Sequence, residues 1–242
     1  MIMEELTSPQ FAAGLEKTRT ALLPLGALEE HGTHLPLGTD TLHMKALAEA
    51  AAREVELFVA PALPYGLCRS TAQHPGTVSI GFDTVRLLVR DVGESLWRQG
   101  VRRLLIASGH AGASHQAALV EAGEELMARC PGLKVAVLTV VDLLRDQVAD
   151  VLATPGDAHA GELETSIVLH LAPHLVRGTS PREFPGFPAP ILVRNKTRFW
   201  PGGVWGDPGA ADETKGGELF RRGVRALVEL VRRLNDFEEP ES

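Results

Sequence analysis

The feature that most constrains this chain is a series of short apolar segments separated by amphipathic ones. Arg103-Leu-Leu-Ile-Ala-Ser108 has no polar alternation, and Val135-Ala-Val-Leu-Thr-Val140 has almost none. Thr20-Ala-Leu-Leu-Pro-Leu-Gly-Ala27 and Leu57-Phe-Val-Ala-Pro-Ala-Leu63 are of the same kind. A strand without alternation is covered on both faces, which is the situation of parallel strands between helical layers. Asp83 to Trp97 puts Val85, Leu88, Val89, Val92 and Leu96 on one helical face, and Ser114 to Ala128 does so with Leu119, Ala122, Leu126 and Met127. Asp40-Thr41 reads as the start of a helix carrying Leu42, Ala46, Leu47 and Ala50. Leu163 to Leu171 and a long basic segment from Ala211 to Leu234 complete the helices. The Pro- and Gly-rich stretch from Pro173 to Pro208 reads as irregular, with one edge strand near Ile191 to Arg194. The predicted architecture is an α/β fold, a three-layer α/β/α sandwich with a mostly parallel central sheet. No repeat, linker or charge run divides it, so residues 1–242 are expected to form one domain.

Composition narrows the partners. Asp and Glu number 31 against 24 Lys and Arg, a net charge of −7, which argues against nucleic acid and anionic membranes as partners. An aromatic share of 5% gives little surface for stacking bases. No apolar run approaches the roughly 20 residues of a membrane span. The opening MIMEELTSPQ lacks the apolar core of a signal peptide. Cys68 and Cys130 are the only cysteines, so a disulfide framework is not expected and a reducing, cytoplasmic setting is. The unusual quantity is histidine, nine residues, several beside Glu, Asp and Gly.

Three polar clusters fall where strands end or helices begin, the place where open parallel sheets gather function. They are Glu29-Glu-His-Gly-Thr-His-Leu-Pro-Leu-Gly-Thr-Asp40, Ser108-Gly-His-Ala-Gly112 and Asp157-Ala-His-Ala-Gly-Glu-Leu-Glu-Thr-Ser166. Imidazole and carboxylate together are a ligand set for Zn, Mn or Fe, and the count suffices for two divalent ions. Two such ions about 3.5–4 Å apart share a bridging carboxylate and activate water at neutral pH. The spacing of a structural zinc site is absent, so a metal here would be catalytic. On a helix, Glu164, Val168 and Leu171 share a stripe, which turns Glu164 toward the packed side as a metal ligand or a helix cap. Glu162 lies on another side, with Ser166 and Leu169, where a cap is the better reading.

The string Leu25-Gly-Ala-Leu-Glu-Glu-His-Gly-Thr-His-Leu-Pro-Leu-Gly-Thr-Asp-Thr41 resembles the signature of the creatininase (creatinine amidohydrolase) family. The resemblance continues through Pro75-Gly-Thr77, Gly109-His110, His159-Ala-Gly-Glu-Leu-Glu-Thr-Ser166 and Gly203-Val-Trp-Gly-Asp-Pro208, in the family's order and over nearly the whole chain. It implies an α/β/α fold, often hexameric, with two divalent metals and a bridging water. By position, Glu29 and His110 would hold one ion, His31 the other, and Asp40 would bridge them. His159 matches a residue used for proton transfer and substrate contact. Creatininase completes its second ion with a Glu two residues after the match to His110; here Gly112 stands there, and Glu164 becomes the natural replacement. Creatininase also closes on its ligand with a Trp just ahead of the match to His159, where this chain reads Thr154-Pro-Gly-Asp157, a departure that argues against creatinine as substrate.

The expected activity is therefore hydrolysis of a C–N bond in a small amide, lactam or formamide by metal-activated water, with His159 moving the proton. Within the family, a peptidase or a lactone hydrolase is the alternative. Outside it stands a non-catalytic module binding a metal, or an anion at Gly109-His-Ala-Gly112. His34 would orient a ligand carboxylate or stabilise its loop. Two bound dications would move the net charge from −7 to −3 by valence counting.

Overall fold

The computed structural model describes residues 1–145 and 147–239. Four strands form one parallel sheet: β1 (Thr20–Leu25), β2 (Phe58–Val59), β3 (Arg103–Ser108) and β4 (Lys134–Thr139), in the order β2-β1-β3-β4. Leu22 pairs with Leu105 and Leu105 with Ala136, so the central strands lie in register over their full length. Among the described residues seven α-helices flank them: α1 (Ser8–Leu15), α2 (Thr39–Ala51), α3 (Phe82–Arg98), α4 (Ala113–Arg129), α5 (Val140–Leu144), α6 (Glu162–Leu171) and α7 (Glu213–Asp236).

The absence of alternation has the expected cause. On one face Leu22, Leu105 and Ala107 pack under α2, α5, α6 and α7, through Met44, Leu47, Leu144, Ile167 and Leu227 among others. On the other, Ala21, Leu23, Leu104 and Ile106 pack against α3 and α4, through Val85, Val89, Leu119 and Leu126. Alternate residues of one strand thus enter two separate cores, and both must be apolar.

Several boundaries differ from the expected ones. Strand β2 keeps only two of the seven residues assigned to it, because Pro61 and Pro64 follow and cannot donate to a ladder. Strand β1 stops at Leu25, short of Ala27. Val140, expected in the fourth strand, opens α5 instead, since Thr139 and Asp142 form a capping box there. Helix α1 lies outside the elements read from sequence, as does all of α5 beyond Val140. The edge strand near Ile191 to Arg194 does not form; Ile191 and Leu192 are 69% and 91% exposed and have no ladder partner. Helix α2 starts one residue ahead of Asp40, which sits in its first turn rather than at its cap.

That first turn is pressed onto the carboxyl ends of the sheet. A Cβ on Gly109, just past β3, would overlap the Asp40 carbonyl, and one on Gly26, just past β1, would overlap Thr41. The obstacle is backbone in both cases and cannot rotate away. Gly109→Ala is therefore expected to destabilise the fold by about 1–3 kcal/mol, as measured by urea denaturation, by pushing α2 off the end of β3.

Candidate metal centre and active site

Three loops converge above the strand ends. After β1 the chain runs through Glu29 and Glu30 to His31, turns at Gly32 with φ of +63°, and returns to α2. The turn is closed by the Glu29 amide donating to the Leu37 carbonyl at 2.9 Å. Glu30 is tied down separately, its amide donating to Thr77 Oγ1 at 3.0 Å. Past β3, Gly109 leads directly into His110. The third loop enters α6, whose first amides, those of Glu162 and Leu163, donate to the Asp157 carboxylate at 2.7 and 2.9 Å. Just before that helix Ala160 adopts φ of +48°, a left-handed conformation rare outside glycine. Its amide donates to Glu164 Oε2 at 2.6 Å and so aims that carboxylate inward.

The loops bring Glu29, His31, Asp40, His110 and Glu164 into one buried group. His31 Nε2 lies 3.1 Å from Asp40 Oδ1 and 3.6 Å from Glu164 Oε2. His110 Nδ1 lies 2.8 Å from Glu29 Oε2 and 3.4 Å from Asp40 Oδ2. Asp40 therefore reaches both imidazoles, one with each oxygen. The tautomers follow from the backbone, because a carbonyl can only accept. His31 Nδ1 donates to the Glu29 carbonyl at 3.0 Å, and His110 Nε2 donates to the Leu67 carbonyl at 3.1 Å. In the neutral rings, the nitrogen left facing the carboxylates in each case carries a lone pair. Lone pairs facing anionic oxygens repel unless something positive stands between them.

In the bare chain, protons take that role. Burial opposes charging His31, but Asp40 and Glu164 overcome it and hold its pKa at about 10. Burial opposes charging His110 as well, and Glu29 and Asp40 lift it well above the ordinary histidine value. Burial pushes Asp40 up, yet His31 and His110 hold it well below the usual carboxylate range. Burial raises Glu164 to about 7 against the pull of His31. With the rings neutral, Glu29 Oε2 and Asp40 Oδ2 are buried without a hydrogen-bond partner. Such orphaned oxygens, beside nitrogens whose other positions are fixed by carbonyls, fit divalent cations. The Nδ1 of His110 and Nε2 of His31 are the free ligand atoms of that arrangement.

His159 stands beside this group, its ring centroid 4.2 Å from that of His31. Its Nε2 donates to the Glu30 carbonyl at 2.9 Å, which leaves Nδ1 as the basic nitrogen. Burial, then His31, push its pKa down to about 4, so it is a neutral base near pH 7. Glu29, Asp40, His110, His159 and Glu164 open onto a cavity of about 360 Å³ that Phe187, Trp200 and Trp205 also line. Trp200 is pinned by its indole donating to the Val204 carbonyl at 2.7 Å, with its ring 5.3 Å from His159.

Other residues separate cleanly. Glu162 is inaccessible, but it accepts from the amides of Ala153 and Thr154 and from Lys215 Nζ at 2.6 Å, well apart from the cluster. His34 bridges Ser180 Oγ at 3.0 Å and Thr165 Oγ1 at 2.8 Å, the loop-stabilising alternative rather than a contact to a ligand carboxylate. His115 packs behind His110 and takes hydrogen bonds within the loops. Thr71, which donates to Glu29 Oε1, and Trp200 were not singled out from sequence; both come from loops whose approach no local pattern announces. Asp157 had a usable signal, a carboxylate shortly ahead of a predicted helix.

A family model, Creatininase (creatinine amidohydrolase), matches residues 4–231. The mycofactocin precursor peptide peptidase of Mycobacterium tuberculosis is 32% identical over 234 residues, covering 88% of this chain and 84% of that one. The creatinine amidohydrolase of Pseudomonas putida is 28% identical over 251 residues, covering 94% and 95%. A solved manganese creatininase superposes with a TM-score of 0.86 at 27% identity, covering 96% of this chain and 97% of its own. A creatininase variant of Zn–Zn type does so with the same TM-score at 26% identity. The match runs through every loop that feeds the buried cluster, and the chain belongs to the creatininase family of hydrolases.

Proposed function

We propose that this chain is a two-ion amidohydrolase that cleaves a C–N bond in a small amide, lactam or formamide. The observation that carries the reading is the pair of imidazoles whose backbone carbonyls turn their second nitrogens onto buried carboxylates, two of whose oxygens, Glu29 Oε2 and Asp40 Oδ2 beside His110, have no hydrogen-bond partner. Glu29 and His110 would hold one ion and His31 and Glu164 the other, with Asp40, which reaches both imidazoles, shared between them. Two divalent cations, Zn, Mn or Fe, supply there the positive charge that acidifies water and polarises an amide carbonyl.

The remaining work belongs to side chains. His159 Nδ1 takes the proton released by water and passes it to the departing nitrogen, with Nε2 anchored on Glu30 throughout. Thr71 fixes Glu29 by its hydroxyl, and the Ala160 amide fixes Glu164. Trp200 and Phe187 keep bulk water from the His159 side.

A second reading, hydrolysis of a peptide bond, is favoured by the peptidase relative and by one further observation. A side cavity of about 100 Å³ adjoins the main one, shares Val140, Val141, Ala158 and Glu164 with it, and is otherwise mostly aliphatic. It offers space for an apolar side chain next to the reacting group. The working particle is taken to be a cytoplasmic homo-oligomer, a hexamer by family likeness; exposed Ile191 and Leu192 supply apolar surface for association. Among the described residues no helix is long and apolar enough to cross a membrane.

Metal analysis after purification in Mn²⁺ or Zn²⁺ is expected to give two ions per chain, and dialysis against a chelator to abolish turnover of an amide panel. Asp40→Ala should lose both ions; a protein without stoichiometric metal, indifferent to this change, would sink the hydrolase reading. Glu164→Ala should lose one ion. Glu162→Ala should instead keep both and cost about 3 kcal/mol of stability, by stranding Lys215 and two amides. His159→Ala should keep its metal and its substrate affinity while kcat falls by about 10²–10⁴-fold.

A further inference from the structure

One donor beside the cluster is left over. Cys68 is 1% exposed and follows Leu67, whose carbonyl orients His110. Its Sγ, a Glu29 carboxylate oxygen and a His110 ring nitrogen all lie within 4.8 Å of one another. This triad shares no member with His31, Asp40 and Glu164, which converge within the same limit. The backbone at Cys68 is fixed, its amide donating to Ser79 Oγ at 2.9 Å, while the thiol makes no hydrogen bond among the described residues.

A buried cysteine is ordinarily a small apolar side chain. Cys130 fits that description, packed in the core under α3 and α4 with Leu126 and Leu133. Cys68 belongs to none of the apolar cores and faces a carboxylate and an imidazole instead. The neighbouring Glu29, only 2% exposed, keeps Oε2 without a partner at 2.8 Å from His110 Nδ1. A soft donor and a hard one thus stand beside the same imidazole.

We infer that Cys68 Sγ is a further ligand of the ion held by Glu29 and His110, giving that position a thiolate, imidazole and carboxylate donor set. The inference rests on the two-ion reading above. On binding, the S–H bond breaks, a sulfur–metal bond forms, and the proton passes to the buffer; no redox change is involved. The two positions then differ in kind. The Cys68 position favours Zn²⁺, Fe²⁺ or Co²⁺, while the all-oxygen-and-imidazole position also suits Mn²⁺.

Cobalt distinguishes the outcomes. Chelator-treated protein titrated with cobalt(II) chloride is expected to develop a near-ultraviolet sulfur-to-cobalt charge-transfer band that saturates at one equivalent. Cys68→Ser should abolish the band and weaken one of the two cobalt sites by at least about 10-fold. Cys130→Ser should retain the band, and since the chain has only two cysteines, the band in that variant reports Cys68 even where Cys68→Ser fails to fold. Two cobalt ions bound without the band, or a band that survives Cys68→Ser, would overturn the assignment and leave the hydrolase reading standing. A chain that takes up no cobalt would overturn both.

Discussion

Everything near the strand ends is organised by the opposition between buried carboxylates and the imidazoles that face them. Three acids, Glu29, Asp40 and Glu164, are drawn from two stretches of chain into one buried volume. Isolated, each would cost several kcal/mol to keep charged there. The fold sustains them by fixing His31 and His110 from behind with carbonyls, so that positive charge must be accommodated between ring and acid. The loops, the left-handed Ala160 and the glycine contacts beneath α2 serve this arrangement.

The layered architecture was legible because it depends on local composition. Each strand is apolar on both faces, and each major helix shows its stripe. What escaped was set by distance along the chain. Glu162 and Glu164 are both buried, and only Glu164 was expected on the packed side; Lys215, the partner that makes burial of Glu162 tolerable, lies 53 residues away. The stretch near Ile191 had a strand-like composition but no strand to pair with, a condition no local pattern contains. The short α1 and α5 have too few residues for a periodic signal.

The candidate site was legible for a different reason. Its acids and histidines occur in dense clusters, and clusters of this chemistry at strand ends have few structural uses. Their roles were less accessible. His34 and His31 stand three residues apart, yet one bridges two hydroxyls and the other meets two carboxylates. That difference is created by Thr165 and Ser180, which approach from far along the chain.

The placement of the cluster has a bearing on how the protein endures heat. Its members come from residues 29 to 40, from 110 and from 164, so ions shared among them would staple loops that are far apart along the chain. Unlike a covalent cross-link, which acts on the unfolded chain, such a staple would act on the folded form alone and be released on unfolding. An ion that binds only the folded form, present at about 1,000 times its dissociation constant, adds about 4 kcal/mol to the unfolding free energy. With such ions bound, their supply and the lifetime of the fold would become one variable.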